Sequence, residues 1–138
     1  MKTLRRFVVV VVGVLSALCL VGVHQGAIAQ QPPRSVIVAQ SSERASVEKV
    51  LLAKIKQTSA AGNPKVEKVA ITDNFSLATW SRGEVGGTAL LRKSNGSWKI
   101  LTYGGGWINK TTMREYQVPE AAAEKLLSTI DPNWRMFE

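Results

Sequence analysis

The dipeptide Asn95-Gly96 constrains this chain more than any other feature, because it joins two β-prone stretches through a turn of defined length. Asparagine and glycine both tolerate the positive φ angles of a type I′ turn, so this pair strongly indicates a β-hairpin. Residues 88–93 and 98–103 flank the dipeptide and are the two predicted strands. A two-residue turn also defines which residues of the two strands face each other.

The predicted register divides the hairpin side chains into two faces, and neither face is polar throughout. An antiparallel hairpin with one solvated face would alternate more strictly between apolar and polar residues. We therefore expect both faces to be covered, one by a helix and the other by a second element, a subunit or a ligand. The predicted pairs are Ser94 with Ser97, Lys93 with Trp98, Arg92 with Lys99, Leu91 with Ile100, Leu90 with Leu101 and Thr88 with Tyr103.

Amphipathic helices are predicted on both sides of the strands. The first is expected from a cap at Ser42 to about Ala60, because apolar residues recur there with helical spacing. The second is expected from Pro119, which suits a first helical turn, to about Thr129. Between them, residues 66–72 and 75–81 alternate with a period of two and predict two further strands. These elements predict an α+β fold in which a helix, a four-stranded antiparallel meander and a C-terminal helix follow one another.

Residues 1–29 have the pattern of a signal peptide. Three basic residues precede residues 7–23, which are almost entirely apolar. Ala27 and Ala29 lie three and one positions before the predicted cut, where signal peptidase accepts small side chains. We expect cleavage after Ala29 and export to the periplasm, the cell envelope or the extracellular space. The alternative is an uncleaved leader that tethers the chain, since this apolar stretch is at the lower limit of a membrane span.

The rest of the chain is predicted to be a flexible tether, residues 30–42, followed by a single α+β domain, residues 43–138. The tether is inferred from Pro32-Pro33, because proline disfavours regular helix. Three of the 18 basic residues lie in the leader, which leaves fifteen basic and ten acidic residues and a net charge of +5. These charges are scattered, which is typical of a solvated surface, so nucleic acid is not expected as a partner.

Cleavage would remove the only cysteine and the only histidine of the chain, Cys19 and His24. The exported part would then lack the usual base of nucleophilic triads and the usual ligands of zinc and copper, so we expect no cofactor and no metal. Paired carboxylates remain conceivable, but their spacing does not single out two of them. We therefore expect a binding domain rather than an enzyme. The carboxylates considered are Glu67, Asp73, Glu84 and Glu115.

Glycine clusters mark the open end of the hairpin, opposite the turn. Gly86-Gly87 indicates a bulge or a close approach of backbone, and the triplet at 104–106 favours a structural bend over a phosphate loop. Trp107 follows this triplet outside the strand ladder, so it is the best candidate for contact with a ligand, with burial in the core as the alternative. The contact candidates at this end are Trp107, Gly104, Gly105, Gly106, Arg82 and Glu84.

Residues 66–129 resemble small exported bacterial proteins of uncharacterised function. The resemblance supplies neither an activity nor a site. The order of one helix and a four-stranded meander is also similar to that of the cystatin-like and nuclear-transport-factor-2-like group. Enzymes of the latter resemble each other in a cavity lined by Asp and His, which this chain cannot build with histidine after cleavage. The residues that carry the resemblance are Trp80, Gly83, Gly86-Gly87, Leu91, Asn95-Gly96, Trp98, Gly104 to Gly106, Val118-Pro119 and Leu126-Leu127.

Three functional hypotheses follow from the sequence. The first is an exported, non-enzymatic binding or accessory domain that uses the glycine-flanked hairpin end near Trp107 to hold a protein or a small ligand. The second is a small-ligand carrier or cavity-type enzyme that relies on carboxylates and Tyr103. The third is a membrane-tethered module, which requires an uncleaved leader. A homodimer formed through the sheet is compatible with each hypothesis.

Overall fold

The computed structural model describes residues 34–138, so the predicted leader and its cleavage signal at Ala27 and Ala29 lie outside the described residues. The fold is α+β, as predicted, with a four-stranded antiparallel sheet in the order β1-β2-β3-β4. The elements are α1 (Arg34–Ile55), β1 (Pro64–Thr72), β2 (Phe75–Arg82), β3 (Val85–Ser94), β4 (Ser97–Gly104), α2 (Lys110–Glu115), α3 (Glu120–Ile130) and a short 3-10 helix (Trp134–Phe137).

Helix α1 begins at Arg34, earlier than the predicted cap at Ser42, so residues 34–42 are helical rather than extended. Ser42 lies inside the helix, where its carbonyl accepts a hydrogen bond of 2.9 Å from the Ser46 hydroxyl. The prediction of an extended tether is therefore wrong for residues 34–42, whereas residues 30–33 of the predicted tether lie outside the described residues. The other end of α1 is Ile55, about one turn before the predicted end at Ala60.

The turn between β3 and β4 has the predicted type I′ geometry, since Asn95 and Gly96 have φ angles of 50° and 76°. The four pairs nearest the turn, from Ser94 with Ser97 to Leu91 with Ile100, match the prediction. Beyond them the register shifts, so the predicted pairing of Leu90 with Leu101 and of Thr88 with Tyr103 is wrong. The observed pairs there are Leu90 with Thr102, Ala89 with Tyr103 and Thr88 with Gly104.

The physical reason for this shift is one extra residue, Leu101, in β4. A bulge of this kind leaves the added residue without a partner and turns every later side chain to the opposite face of the sheet. Leu101 packs against the cluster on the α3 side, whereas Tyr103 packs against the cluster on the α1 side. Tyr103 therefore lies on the same face as Trp80 rather than beside Leu90.

Both faces of the sheet are covered, as predicted, and each carries its own core cluster. Helix α1 packs against one face with Val47, Leu51 and Ile55, which are fully buried. The predicted spacing of i, i+4 and i+8 explains this stripe. Helix α3 packs against the other face, where Leu126 and Leu127 are buried. Because helices occupy both faces, an association of two copies through the sheet would have to use its edges.

The C-terminal part contains one helix that the sequence interpretation missed. The sequence predicted no helix between the hairpin and Pro119, yet α2 forms there with Asn109 as its cap, and the Asn109 side chain accepts a hydrogen bond of 3.0 Å from the Thr112 amide. Trp134 packs back into the α3-side core and is 2% exposed, whereas Phe137 is 55% exposed. None of the helices within residues 34–138 is long and apolar enough to cross a membrane.

Candidate functional site

The glycine end of the hairpin is the end opposite the Asn95-Gly96 turn, where β2, β3 and β4 meet the segment that follows α1. Gly87 lies directly against the backbone of β4 at this end. A Cβ atom at Gly87 would lie 1.7 Å from the Gly104 carbonyl oxygen, which no side chain can tolerate. The close backbone approach predicted from Gly86-Gly87 is therefore confirmed, and it brings the end of β4 tightly onto the start of β3.

Arg82 holds the segment after α1 in place. Its Nη1 donates hydrogen bonds to the carbonyl oxygens of Ile55 and Thr58, at 2.9 and 2.7 Å, and its Nε donates to Gly62 at 3.0 Å. These carbonyls lie at and beyond the C-terminus of α1, where a positive charge is favourable. Arg82 was predicted to contact a ligand. It instead ties the segment at Thr58 to β2 and so holds one wall of the site in position, without lining the cleft itself.

Between this segment and the end of β4 lies an open cleft with a volume of about 360 Å³. Two aromatic rings, Trp80 and Tyr103, lie on its sheet side with their centroids 6.1 Å apart and their planes inclined at 43°. The Lys54 ammonium lies 5.4 Å from the centre of the Tyr103 ring. The residues that line the cleft are Thr58, Ser59, Ala60, Trp80, Val85, Tyr103, Gly104 and Gly105.

The cleft combines apolar surface with hydroxyl and backbone groups. Val85 is 48% exposed, which is unusual for a large apolar side chain in this domain. Trp80 is 7% exposed, and its indole Nε1–H is buried without an acceptor among the described residues. Trp107 and Trp134 share that property although neither lines the cleft, so the unpartnered indole does not by itself mark a ligand. The exposed Val85 beside two aromatic rings does distinguish this surface.

The triplet of glycines at the end of β4, Gly104 to Gly106, is divided between two sides of the domain. Gly104 and Gly105, two of the predicted contact residues, line the cleft. Gly106 has a φ of 110° and turns the chain away. Its carbonyl accepts a hydrogen bond of 2.9 Å from the Thr88 hydroxyl, which in turn accepts one of 3.0 Å from the Ile108 amide.

Trp107, the foremost contact candidate from the sequence, lies beyond this turn and does not line the cleft. It packs against the α3-side core, with its ring 5.7 Å from that of Phe137. Glu84 is exposed in the turn between β2 and β3, beside Val85, and likewise does not line the cleft. The structure therefore brings together Gly104, Gly105 and, through its support of the wall, Arg82.

Sequence reasoning missed most of the cleft wall. Thr58, Ser59 and Ala60 were interpreted only as the end of a helix, and Val85 only as a turn neighbour. No local pattern in residues 58–60 indicates a binding site. The position of these residues depends on hydrogen bonds from Arg82, which lies more than twenty residues later in the chain. Tyr103 was part of the second functional hypothesis, but the missed bulge placed its side chain on the wrong face of the sheet.

The carboxylates considered for catalysis are spread over the domain. Glu67 lies on β1, where it accepts a hydrogen bond of 2.6 Å from the Ser81 hydroxyl, and Glu115 ends α2. Asp73 and Glu84 lie in the turns at opposite ends of β2. No Asp or Glu is among the cleft-lining residues. Within residues 34–138, no three His, Cys, Asp or Glu side chains are grouped as a metal ion requires.

The other end of the hairpin, the turn end, is tied to α1 by Glu43. Its carboxylate forms an ion pair with Lys93 and accepts a hydrogen bond of 2.8 Å from the Trp98 indole nitrogen. The hydrogen bonds from Lys93 and Trp98 lower the pKa of Glu43 below its ordinary value of 4.5. Trp98 is 6% exposed and belongs to the core cluster on the α1 side.

Comparison of the chain with protein-family models, with curated proteins and with solved structures gave no match.

Proposed function

We propose that this chain is an exported, non-enzymatic binding or accessory domain whose binding site is the cleft at the glycine end of the hairpin. The observation that carries the proposal is the exposed Val85 at the mouth of a cleft of about 360 Å³, beside Trp80 and Tyr103. A site of this size suits a small ligand or one or two side chains of a larger partner.

The lining chemistry favours binding over proton transfer. Hydroxyl groups of Ser59 and Tyr103 and the backbone of Gly104 and Gly105 can donate and accept hydrogen bonds. The Thr58 hydroxyl already donates to the Ile55 carbonyl at 2.8 Å and accepts from Arg82 at 3.1 Å. Apolar surface supplies the affinity, and the few polar groups orient the ligand. A general acid or base needs a titratable group within hydrogen-bond reach of the reacting atom. The tyrosine hydroxyl is the sole such group among the lining residues.

A charge introduced at the mouth of the cleft tests the proposal. The probe is a set of small amphipathic aromatic amides and alcohols, screened against the protein by ligand-detected NMR. Val85→Glu should abolish the hits without unfolding the domain, because Val85 is half exposed. The matched control is Met136→Glu, the same change in charge at an apolar side chain that is 80% exposed and does not line the cleft.

Hits that survive Val85→Glu, or a complete lack of hits, would contradict the proposed site. Trp107→Ala separates this site from the one predicted by the sequence. Retention of the hits in Trp107→Ala favours the cleft alone, whereas their loss in a variant that still folds favours contact through Trp107.

The export half of the proposal rests on the leader pattern of the sequence. Mass spectrometry of the protein recovered from the producing cells tests it directly. We expect a mature chain that begins at Gln30. A chain that still begins at Met1 would instead support the membrane-tethered alternative.

A further inference from the structure

Strand β4 forms one edge of the sheet, and its register shows which of its amides point outward. Because a two-residue turn makes Ser94 and Ser97 a hydrogen-bonded pair, the next pair, Lys93 with Trp98, is not hydrogen-bonded across the two strands. The Lys93 amide indeed donates to the Asn74 carbonyl, at 2.7 Å, on the side away from β4. Trp98 must therefore direct its backbone N–H and C=O outward, away from β3.

The same alternation continues toward the cleft. Ile100 faces Leu91 in the second pair of this kind, and Tyr103 faces Ala89 in the third, after the bulge at Leu101. Trp98, Ile100 and Tyr103 thus present a row of outward backbone groups that ends at the cleft, since Tyr103 lines it. A row of this kind is a template for an added strand.

The opposite edge, β1, is better protected against such addition. It starts with Pro64, which has no amide hydrogen, and it contains a register shift at Glu67. It also carries Lys65 and Lys68, and the Lys68 ammonium donates to the Ile130 carbonyl at 2.8 Å. Charges, bulges and proline are the features by which proteins blunt a sheet edge. The unequal protection singles out β4 as the edge available to a partner.

Space and charge at β4 indicate what kind of partner fits. A Cβ atom at Gly104 would meet no other atom within 4 Å, so the strand end beside the cleft is open. Lys99 is exposed on β4, and Lys54 lies over the Tyr103 ring. Neither lysine forms an ion pair with a carboxylate among the described residues. An acidic segment would complement both positive charges, whereas a second copy of this basic chain would bring like charges together.

We propose that β4 and the cleft together bind an extended acidic peptide segment of a partner protein. The segment adds a fifth strand along Trp98 to Tyr103 and places an apolar side chain in the cleft beside Val85. This inference rests on the proposed function, because it assumes that the cleft is a binding site. It adds main-chain hydrogen bonds to the interaction, which is how strand addition gains affinity.

The test uses a capped heptapeptide of alternating valine and glutamate at pH 7, titrated into the uniformly ¹⁵N-labelled protein. We expect chemical-shift changes at the amides of Trp98, Ile100 and Tyr103 and at the cleft. The matched probe is the same peptide N-methylated at every second amide, on the edge that would face β4. It should bind roughly tenfold more weakly or worse, because each lost hydrogen bond reduces affinity by about twofold to tenfold.

Two charge reversals supply a second, independent test. Lys99→Glu should weaken binding of the heptapeptide by about threefold to tenfold at low salt, since the reversal removes an exposed ion pair and adds a repulsion of similar size. Lys65→Glu, the same reversal at an exposed position on the other edge strand, should leave the affinity unchanged. Equal effects of the two reversals would show a non-specific charge attraction and would overturn the inference.

The remaining outcomes separate this inference from the proposed function. Shifts confined to the cleft, with equal affinity for the methylated peptide, would overturn strand addition and leave the cleft as a binding site. No shift at millimolar heptapeptide would also overturn strand addition, while hits of the small-molecule screen would still support the cleft. Shifts of the β4 amides that depend on protein concentration, without peptide, would identify a second copy of the chain as the occupant and refute the peptide.

Discussion

A buried tryptophan lies at each end of the β3–β4 hairpin, Trp98 of β4 at the turn end and Trp80 of the neighbouring β2 at the glycine end, and the two indoles differ in their hydrogen bonding. At the turn end, Trp98 is 6% exposed and donates its indole hydrogen to Glu43, at 2.8 Å. At the glycine end, Trp80 is 7% exposed, and its indole nitrogen has no acceptor among the described residues. Both lie in the cluster under α1. The turn end is thus closed by polar bonds, whereas the glycine end is left open beside a cleft.

The two ends of the hairpin thus have separate roles, the turn end in folding and the glycine end in the proposed binding. The turn end fastens α1 to the sheet through a side chain that reaches across from the helix. The glycine end is held by backbone contacts and by Arg82, and of the side chains that line the cleft only that of Thr58 forms hydrogen bonds among the described residues. A ligand at the glycine end would therefore displace no structural bond of the core. Substitutions at Gly87, Arg82 and Glu43 test this difference between the two ends of the hairpin, and Gly87 is expected to give the largest loss of stability.

Gly87→Ala should destabilise the domain more than any other change at the glycine end. The new Cβ would overlap the Gly104 carbonyl oxygen, so the two strands must separate. Overpacking against backbone costs about 3 kcal/mol or more in the free energy of unfolding. Urea unfolding measures the loss. Gly104→Ala is the control, because its Cβ would point into open space, and it should change stability by less than about 0.5 kcal/mol. Equal losses in the two variants would refute the close contact.

Arg82→Met should be the next largest change, because it removes the donor shared by the carbonyls of Ile55, Thr58 and Gly62. We expect a loss of about 2 kcal/mol and faster hydrogen exchange at the backbone amides of residues 58–60. Arg114→Met, at an exposed position on α2, is the control and should have little effect. Unchanged exchange in Arg82→Met would show that the cleft wall does not depend on this side chain.

Glu43→Gln should weaken the turn end by about 1 kcal/mol at pH 7, since it removes a partly exposed ion pair but retains an acceptor for Trp98. The pKa of Glu43 is lowered in the folded state, so its contribution is present above about pH 4.5 and is lost as the pH falls further. The difference in unfolding free energy between the native chain and Glu43→Gln should therefore shrink below pH 4.5. Glu115→Gln, at an exposed position, should show no such pH dependence.

A large part of this fold could be predicted from the sequence because short-range rules determine it. The Asn95-Gly96 turn set the first four pairs of the hairpin, and helical spacing identified the buried stripe of α1. Asn109 is a good helix cap, so the start of α2 at Lys110 also has a local signal in the sequence. These features depend on residues within one or two turns of each other.

The parts that could not be predicted depend on contacts between distant residues. The bulge at Leu101 has no local signature in an apolar strand, yet it decides that Tyr103 faces the cleft. The cleft wall at residues 58–60 is positioned by Arg82 from another element. The sequence interpretation placed Gly104 and Gly105 at the open end of the hairpin, where they line the cleft, but it could not foresee that Trp107 turns to the opposite side.

One NMR experiment tests the central claim that ligands bind at the glycine end. The four tryptophans give four indole ¹⁵N–¹H signals, from Trp80 at the cleft, Trp98 at the turn end, and Trp107 and Trp134 in the α3-side core. Titration with a hit from the small-molecule screen should shift the Trp80 indole signal and leave that of Trp98 in place. A shift of the Trp98 or Trp107 signal, with Trp80 unchanged, would contradict the assignment of the site.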